Sequence, residues 1–294
     1  MRYWSLWCLL FGGLLLGQMQ AQAKTLPLPE WQSPEGLDHP HLGQALDTAS
    51  GEWISPDTLI ERLQGRDRVL VGEQHDNPDH QRLQLWLLQQ LQARRPQAAL
   101  LLEMLEPPQQ PALDELQGQA LPADAELQQQ LSWTEGWPWT AYGPLVRWGL
   151  APGRVLLAAN LSRQELRALY GQPEALSPHY SAAALDELKA VMRSSHCDRL
   201  PEAQVPAMLA IQQGRDQRMA SVLKQAPIPA LLVAGSFHVR KDLGLPVHWP
   251  EEEPDLPVVL ILVQADKPMP GADQADFVWL TAATEARDHC AEWD

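Results

Sequence analysis

The stretch Arg68-Val-Leu-Val-Gly72, which runs directly into Glu73, sets the pattern on which the fold is built. Similar continuous apolar runs recur at Ala98–Met104, Arg154–Ala159 and Pro229–Gly235. Runs that are apolar at every position are typical of strands covered on both faces. Because segments with helical spacing separate these runs, the sequence predicts an α/β fold with a mainly parallel sheet flanked by helices.

The rest of the chain is consistent with a single α/β domain over residues 24–294. Two further strands are predicted at Val258–Gln264 and Phe277–Leu280, and residues 24–55 are Pro-rich and expected to be irregular. Between the second and third strands, about residues 105–150, Pro, Gln and Trp are frequent, and we expect a helical insertion that forms a small subdomain.

Composition excludes two classes of protein. The chain has 294 residues with 22 Lys and Arg against 37 Asp and Glu, which gives a net charge of −15. A chain that is 45% hydrophobic can bury a core and is not intrinsically disordered. An acidic chain without a run of cations argues against a nucleic-acid partner, because binding to phosphates needs clustered Lys and Arg.

The N-terminus has the features of an export signal. Arg2 precedes the apolar run Tyr3–Leu16, and small residues follow up to Ala23. The run is shorter than the about 20 residues that a membrane span needs, so we predict a signal peptide over residues 1–23, cleaved after Ala23, and a periplasmic protein. In that oxidising compartment Cys197 and Cys290 are expected to form a disulfide; as thiolate ligands they would lack a Cys-x-x-Cys spacing.

Polar side chains stand where four of the predicted strands end. The carboxyl ends of parallel strands meet at one edge of a sheet, where ligands bind. These polar side chains can ligate a divalent transition metal, act as the acid and base of a hydrolase, or form a buried hydrogen-bond network. Its candidate catalytic residues are Glu73, His75, Glu103 and His238, with Asn160 and Ser236 beside them.

A Trp-rich segment follows the second strand. It contains Trp133, Trp137, Trp139, Tyr142 and Trp148, interrupted by Gly and Pro. Aromatic side chains in such a segment can line a wall for a flat apolar ligand, with the Tyr hydroxyl as a polar contact. The alternative is that they pack over the core beside the edge of the sheet.

Seven short motifs occur in a specific order between about residues 66 and 240. They are Gly72-Glu-Gln-His-Asp-Asn77, Leu101-Leu-Glu-Met104, Trp137-Pro-Trp-Thr-Ala-Tyr142, Ala159-Asn160, His196-Cys197, Gln212-x-x-Arg215-Asp216-x-x-Met219-Ala220 and Gly235-Ser-Phe-His238. The series resembles the ChaN-like haem-binding uptake family of the Tiki/erythromycin-esterase-like superfamily. The resemblance implies a haem-binding protein of iron acquisition that dimerises around two face-to-face haems and works with an outer-membrane haem receptor or a periplasmic haem carrier. It also implies a periplasmic or outer-membrane-associated location.

The resemblance further implies ferric haem whose iron is held by a Tyr and assisted by a His. A phenolate is an anionic oxygen donor that suits ferric iron. Tyr142 is the first candidate for the iron ligand because it lies in a matched motif. The expected haem-binding residues are Tyr142, His196, Tyr180, His80 and Trp139. A metal-dependent hydrolase and a non-catalytic envelope scaffold are the alternative functions.

Overall fold

The computed structural model describes residues 26–249, 255–288 and 290–291, so the predicted signal peptide lies outside the described residues. The strands are β1 Ala45–Asp47, β2 Glu52–Ile54, β3 Arg68–Glu73, β4 Ala99–Leu102, β5 Val155–Ala158, β6 Ala230–Gly235, β7 Val258–Gln264 and β8 Phe277–Thr281. The helices are α1 Pro56–Leu63, α2 Pro78–Arg94, α3 Gln110–Leu116, α4 Asp124–Gln130, α5 Trp139–Gly149, α6 Arg163–Gly171, α7 Ala182–Ser195, α8 Val205–Gln225 and α9 Ser236–Val239.

The eight strands form one sheet in the order β2-β1-β8-β7-β3-β6-β4-β5. All neighbours from β8 to β5 pair in parallel, whereas β1 is antiparallel to both β2 and β8. Helices α3, α4 and α5 lie between β4 and β5 in the chain. The prediction of a mainly parallel sheet with a helical insertion between the second and third predicted strands is therefore confirmed.

Two local predictions were wrong. The segment expected to be irregular contains the β1–β2 hairpin, whose three-residue strands are too short to show an alternating pattern. Helix α5 begins at Trp139 and runs through Pro144, whereas the sequence predicts a break at Gly143 and Pro144 before a later helix. Gly143 is required inside α5, because a Cβ there would lie 2.6 Å from the Trp139 ring.

The sheet is buried on both faces. Successive residues of a strand point to opposite faces, and in β3 Val71 belongs to the core beneath α2 and α5, whereas Leu70 belongs to the core beneath α8. Both side chains are fully buried. This two-sided burial explains why the central positions of the parallel strands are apolar, and it places α2 and α8 on opposite sides of the sheet.

Two features position the site. In the parallel pair β3–β6, Glu73 lies in register with Gly235, so both strands end at the same edge of the sheet. The predicted disulfide is present: Cys197 and Cys290 are bonded, with their Cα atoms 5.6 Å apart. The bond ties the turn after α7 to the C-terminal segment, next to the edge where β3 and β6 end.

Candidate functional site

The structure brings Glu73, His75, Glu103 and His238 together at the carboxyl ends of β3, β4 and β6. Gly235 lies among these side chains, and its backbone N–H donates to Glu103 Oε2 at 2.8 Å. A Cβ at this glycine would lie 2.9 Å from His75 Nε2. The close approach of the imidazole and the carboxylate therefore depends on a residue without a side chain.

Glu73 is the acceptor at the centre of a closed hydrogen-bond network. Tyr142 donates its hydroxyl to Oε1 at 2.5 Å, and His75 Nδ1 contacts the same oxygen at 2.9 Å. The side-chain amides of Gln81 and Gln84 donate to Oε2 at 2.9 Å and 2.6 Å. Glu73 is only 2% exposed, so these four donors replace the water that an ionised carboxylate needs.

The second half of the cluster is centred on His238. Its Nδ1 lies 2.6 Å from Asp216 Oδ1, and its Nε2 lies 3.5 Å from Glu103 Oε1. Burial disfavours the charged imidazole, but the two carboxylates outweigh that effect and raise the pKa of His238. Burial raises the pKa of Asp216 to about 6, against the opposing effect of His238. In this half of the cluster, His238 therefore lies between two carboxyl groups, those of Asp216 and Glu103.

A cavity of about 520 Å³ opens beside these two groups. Its walls are apolar side chains of α7 and α8, including Leu188, Met192, Met208 and Ile211. Its polar lining comes from the strand ends and from α8, and Phe237 of α9 also lines it. Apolar walls with a few convergent polar groups are typical of a site for a small molecule or a cofactor.

Of the three histidines that line the cavity, His75 and His196 have the same arrangement. The Nδ1 of His75 is held by Glu73, and the Nδ1 of His196 lies 2.7 Å from the Met192 carbonyl oxygen. Within the described residues, no hydrogen bond involves the Nε2 of either ring. Histidines that bind metals usually donate their other ring N–H to a carboxylate or a carbonyl in this way. The side chain of His75 is 40% exposed, so it is accessible from the cavity.

The two principal tyrosine candidates lie away from the cavity lining. Tyr142 is fully buried, and burial next to the Glu73 carboxylate raises the pKa of its hydroxyl, which therefore stays a protonated donor. Tyr180 is 7% exposed, and its hydroxyl lies 2.9 Å from His248 Nε2. Neither tyrosine lines this cavity, and their hydroxyls contact the buried Glu73 and the half-buried His248. A role for either residue as the iron ligand stays a prediction.

His80 and Trp139 also differ from their predicted roles. His80 is fully buried, its Nδ1 accepts from Gln74 N at 2.9 Å, and its Nε2 lies 3.0 Å from Thr281 Oγ1. Burial lowers the pKa of His80 to about 3, so it is a neutral core residue with no free nitrogen. Trp139 packs edge-on against Trp133, with ring centroids 5.1 Å apart, instead of lining the cavity. Neither residue is available to a ligand in the cavity.

Sequence reasoning gave no role to several polar residues on helices α2 and α8. Gln81 and Gln84 of α2 contact Glu73, while Gln212 of α8 lies 3.0 Å from His238 Nδ1 and Asp216 binds the same ring. Residues three or four apart share one face of a helix. Polar residues recurring at that spacing on a buried face were the signal that could have identified them.

The metal interpretation of the strand-end cluster lacks suitable geometry. Across residues 26–249, 255–288 and 290–291, no group of three or more His, Cys, Asp or Glu side chains could hold a metal ion. Glu73 and Glu103 each pair with their own histidine and with other donors instead. Among the four predicted residues, Glu73 and His75 thus form a hydrogen-bonded pair, and Glu103 and His238 form an ion-pair contact at 3.5 Å.

Comparison with known proteins identifies the family. A family model described as haem-binding uptake, Tiki superfamily, ChaN matches residues 59–248. The chain belongs to this family. A structure of ChaN from Campylobacter jejuni, described as showing cofacial haem binding, is 27% identical with a TM-score of 0.69, over 80% of this chain and 95% of that chain.

Other comparisons add little. A structure of the erythromycin esterase EreC in an open conformation matches over 81% of each chain, but with 16% identity and a TM-score of 0.45 it carries no argument about function. No curated protein matches the sequence.

Proposed function

We propose that this protein binds ferric haem in the cavity beside α7 and α8 and acts in haem uptake. Membership of the haem-binding uptake family supports haem as the ligand. The observation that carries the proposal is the cavity itself, which has apolar walls and is lined by His75 and His196, whose Nε2 atoms make no hydrogen bond within the described residues. A porphyrin needs apolar walls for its ring and a donor for its iron, and the residues present fit both requirements.

His196 and His75 are the residues that would hold the iron. When bound, haem would supply a ferric ion that can be held by an imidazole nitrogen of this chain. Each ring has its Nδ1 held by an acceptor, Met192 O or Glu73, which fixes the ring orientation and leaves Nε2 with its lone pair. His196 ranks first, because the hydrogen-bonded Glu73 carboxylate raises the pKa of His75 against the opposing effect of burial, and protonation would compete with ligation.

The experiment that tests haem binding is a titration of ferric haem followed by its Soret absorption. Met208→Trp puts a large side chain on the cavity wall, and we expect it to weaken saturable binding at least tenfold. Met269→Trp is the matched control, because Met269 is 36% exposed and does not line the cavity. Equal saturation curves for both variants would contradict the proposed site, and no saturable band in the unmutated protein would contradict haem binding.

We also propose that the protein works as a homodimer around paired haems. The C. jejuni relative ChaN is described as binding haem cofacially, which supports a paired arrangement here. Phe237 lines the cavity and is 39% exposed, so an apolar surface is available next to the site. A second copy could cover it. Sedimentation with and without haem tests the dimer, and a haem-loaded protein that sediments as a monomer would contradict it.

Periplasmic location is part of the same proposal. The Cys197–Cys290 disulfide supports an oxidising compartment, and the N-terminal sequence supports export. Within the described residues no helix is long and apolar enough to span a membrane. An outer-membrane receptor or a periplasmic carrier would then exchange haem with this protein. Cell fractionation tests the location, and recovery of the protein with reduced cysteines in the cytoplasm would contradict it.

A metal-free hydrolase is the second candidate, favoured by one contact. Glu73 holds Nδ1 of His75 at the floor of the cavity, which is how a carboxylate orients an imidazole that acts as a general base. Hydrolysis of small activated esters that is lost in His75→Ala would support this function. A protein that is inert towards ester and amide substrates would contradict it.

A further inference from the structure

The cavity is lined by a cation that makes no hydrogen bond or salt bridge within the described chain, although its charge helps to lower the pKa of Glu103. Arg215 of α8 lines the cavity, and its Nε is buried without a hydrogen-bond partner. No salt bridge joins its guanidinium to a described carboxylate. By contrast, Arg218 on the same helix pairs with Glu165, and Arg240 pairs with Glu187 and Asp242. Leaving a buried charged donor unpaired costs free energy. A hydrogen-bond acceptor supplied by a bound ligand would remove that cost at Arg215.

The nearby carboxylates do not meet that need, because other donors already bind them. Glu73 already has four partners, namely Tyr142, Gln81 and Gln84 on the side of α2 and α5, and His75 on the side of the cavity. Glu103 accepts from Gly235 N and lies beside His238, whose other ring nitrogen contacts Asp216. The carboxylates of the floor are thus hydrogen-bonded or paired with other groups, whereas the Nε of Arg215, a residue that lines the cavity, has no hydrogen-bond partner among the described residues.

We infer that Arg215 binds a carboxylate of the ligand, so that the cavity selects a flat apolar molecule with an acidic side chain. This inference rests on the proposed function, since haem carries two propionate groups on an otherwise apolar ring. The planar guanidinium matches a carboxylate with two parallel hydrogen bonds, which an ammonium group cannot reproduce. Apolar side chains such as Met192 and Ile211 form the walls for the ring.

Arg215 and the histidines therefore have separate roles in binding. The histidines would hold the iron, whereas Arg215 recognises the porphyrin periphery and has no need of the metal. Metal-free protoporphyrin IX, which keeps both propionates, should consequently still depend on Arg215 and not on His196. Haem dimethyl ester, in which both propionates are blocked, should depend on His196 and not on Arg215.

The test compares three probes on four proteins by tryptophan-fluorescence quenching and Soret titration. The probes are haem, protoporphyrin IX and haem dimethyl ester, and the proteins are the unmutated chain, Arg215→Gln, His196→Ala and the control Arg218→Gln. We expect Arg215→Gln to weaken haem and protoporphyrin IX roughly tenfold or more, as for a lost charge-assisted hydrogen bond. Binding of the diester should change less than about twofold. Thermal unfolding verifies that each variant folds.

Two results would overturn the inference, and they differ from failure of the proposed function. If Arg215→Gln weakens the diester as much as haem, the residue supports the fold of the cavity and not a carboxylate. If Arg215→Gln leaves haem and protoporphyrin IX unchanged, the carboxylate contact does not exist although haem binding stands. If the unmutated protein binds neither porphyrin, the proposed function falls and this inference falls with it.

Discussion

The two sides of the strand ends have opposite character. On the side of α2 and α5, Glu73 is enclosed by Tyr142, Gln81 and Gln84, and its acceptor capacity is filled by protein donors. On the side of α7 and α8, the cavity exposes His75 and has apolar walls. We call these the closed side and the open side. The closed side stabilises the edge of the sheet. On the open side, the Nε2 atoms of His75 and His196 make no hydrogen bond within the described residues and are free to bind a ligand.

A residue's place in a motif therefore does not determine its access to a ligand. Tyr142 and His196 both lie in matched motifs. The Tyr142 hydroxyl donates to Glu73, whereas His196 lines the cavity. The two residues differ in which face of the sheet edge their helices cover. Four experiments test the contrast between the two sides.

Loss of the acceptor on the closed side should destabilise the protein most. Glu73→Ala leaves three buried donors and one imidazole without their partner, so we expect a loss of about 3–5 kcal/mol in the free energy of unfolding. Urea denaturation measures it. Glu61→Ala on the exposed surface of α1 is the control and should change stability by less than about 0.5 kcal/mol. A loss below about 1 kcal/mol for Glu73→Ala would show that the closed side is not a stabilising network.

His80 adds a pH dependence to the closed side. Its folded pKa of about 3 lies below the ordinary value of 6.5, so between these values the unfolded chain binds a proton that the folded chain does not. Stability is therefore fully present above the unfolded pKa and falls as the pH falls. From about pH 7 to about pH 5 the loss is roughly 2 kcal/mol, because the slope rises towards about 1.4 kcal/mol per pH unit as the unfolded imidazole becomes protonated.

Urea denaturation at both pH values measures this loss. The variant His80→Gln should lose about 2 kcal/mol less than the unmutated protein over the same interval. Equal slopes in the two proteins would mean that His80 is protonated in the folded state and that the closed side is open to water at this point.

Tyr142→Phe tests whether the closed side affects stability without affecting haem binding on the open side. Its effect on stability should be smaller than that of Glu73→Ala. Removing the hydroxyl takes one of four donors from Glu73, and we expect a stability loss of about 1–3 kcal/mol. Haem affinity should change less than about twofold, because the phenol does not line the cavity. Loss of the Soret band in a variant that still unfolds cooperatively would instead restore Tyr142 as the iron ligand.

Much of the sheet could be predicted from the sequence because its strands are buried on both faces. Val258–Gln264 was predicted with the bounds that the structure shows, and the ends of β3 and β6 were located closely enough to bring Glu73 and His238 to one edge. The short strands β1 and β2 were missed, because three residues cannot display a period.

The sequence could not predict which side of the strand ends is filled by protein contacts and which side opens into the cavity. The ring of His80, which the sequence offered as a haem-binding residue, is instead fully buried and contacts the distant Thr281 of β8. The helical path through Pro144, which aims Tyr142 at Glu73, depends on Trp139 packing against Gly143. The first of these contacts joins residues 201 apart in the chain, and the second overrides the usual tendency of Gly and Pro to end a helix.

The decisive measurement is the position of iron in a crystal of the protein grown with ferric haem, located by anomalous scattering at the iron edge. We predict an iron peak in the cavity between α7 and α8, next to Nε2 of His196 or His75, with a propionate against Arg215. An iron peak bonded to the oxygen of Tyr142 or Tyr180, or a haem bound outside an empty cavity, would contradict the proposed site.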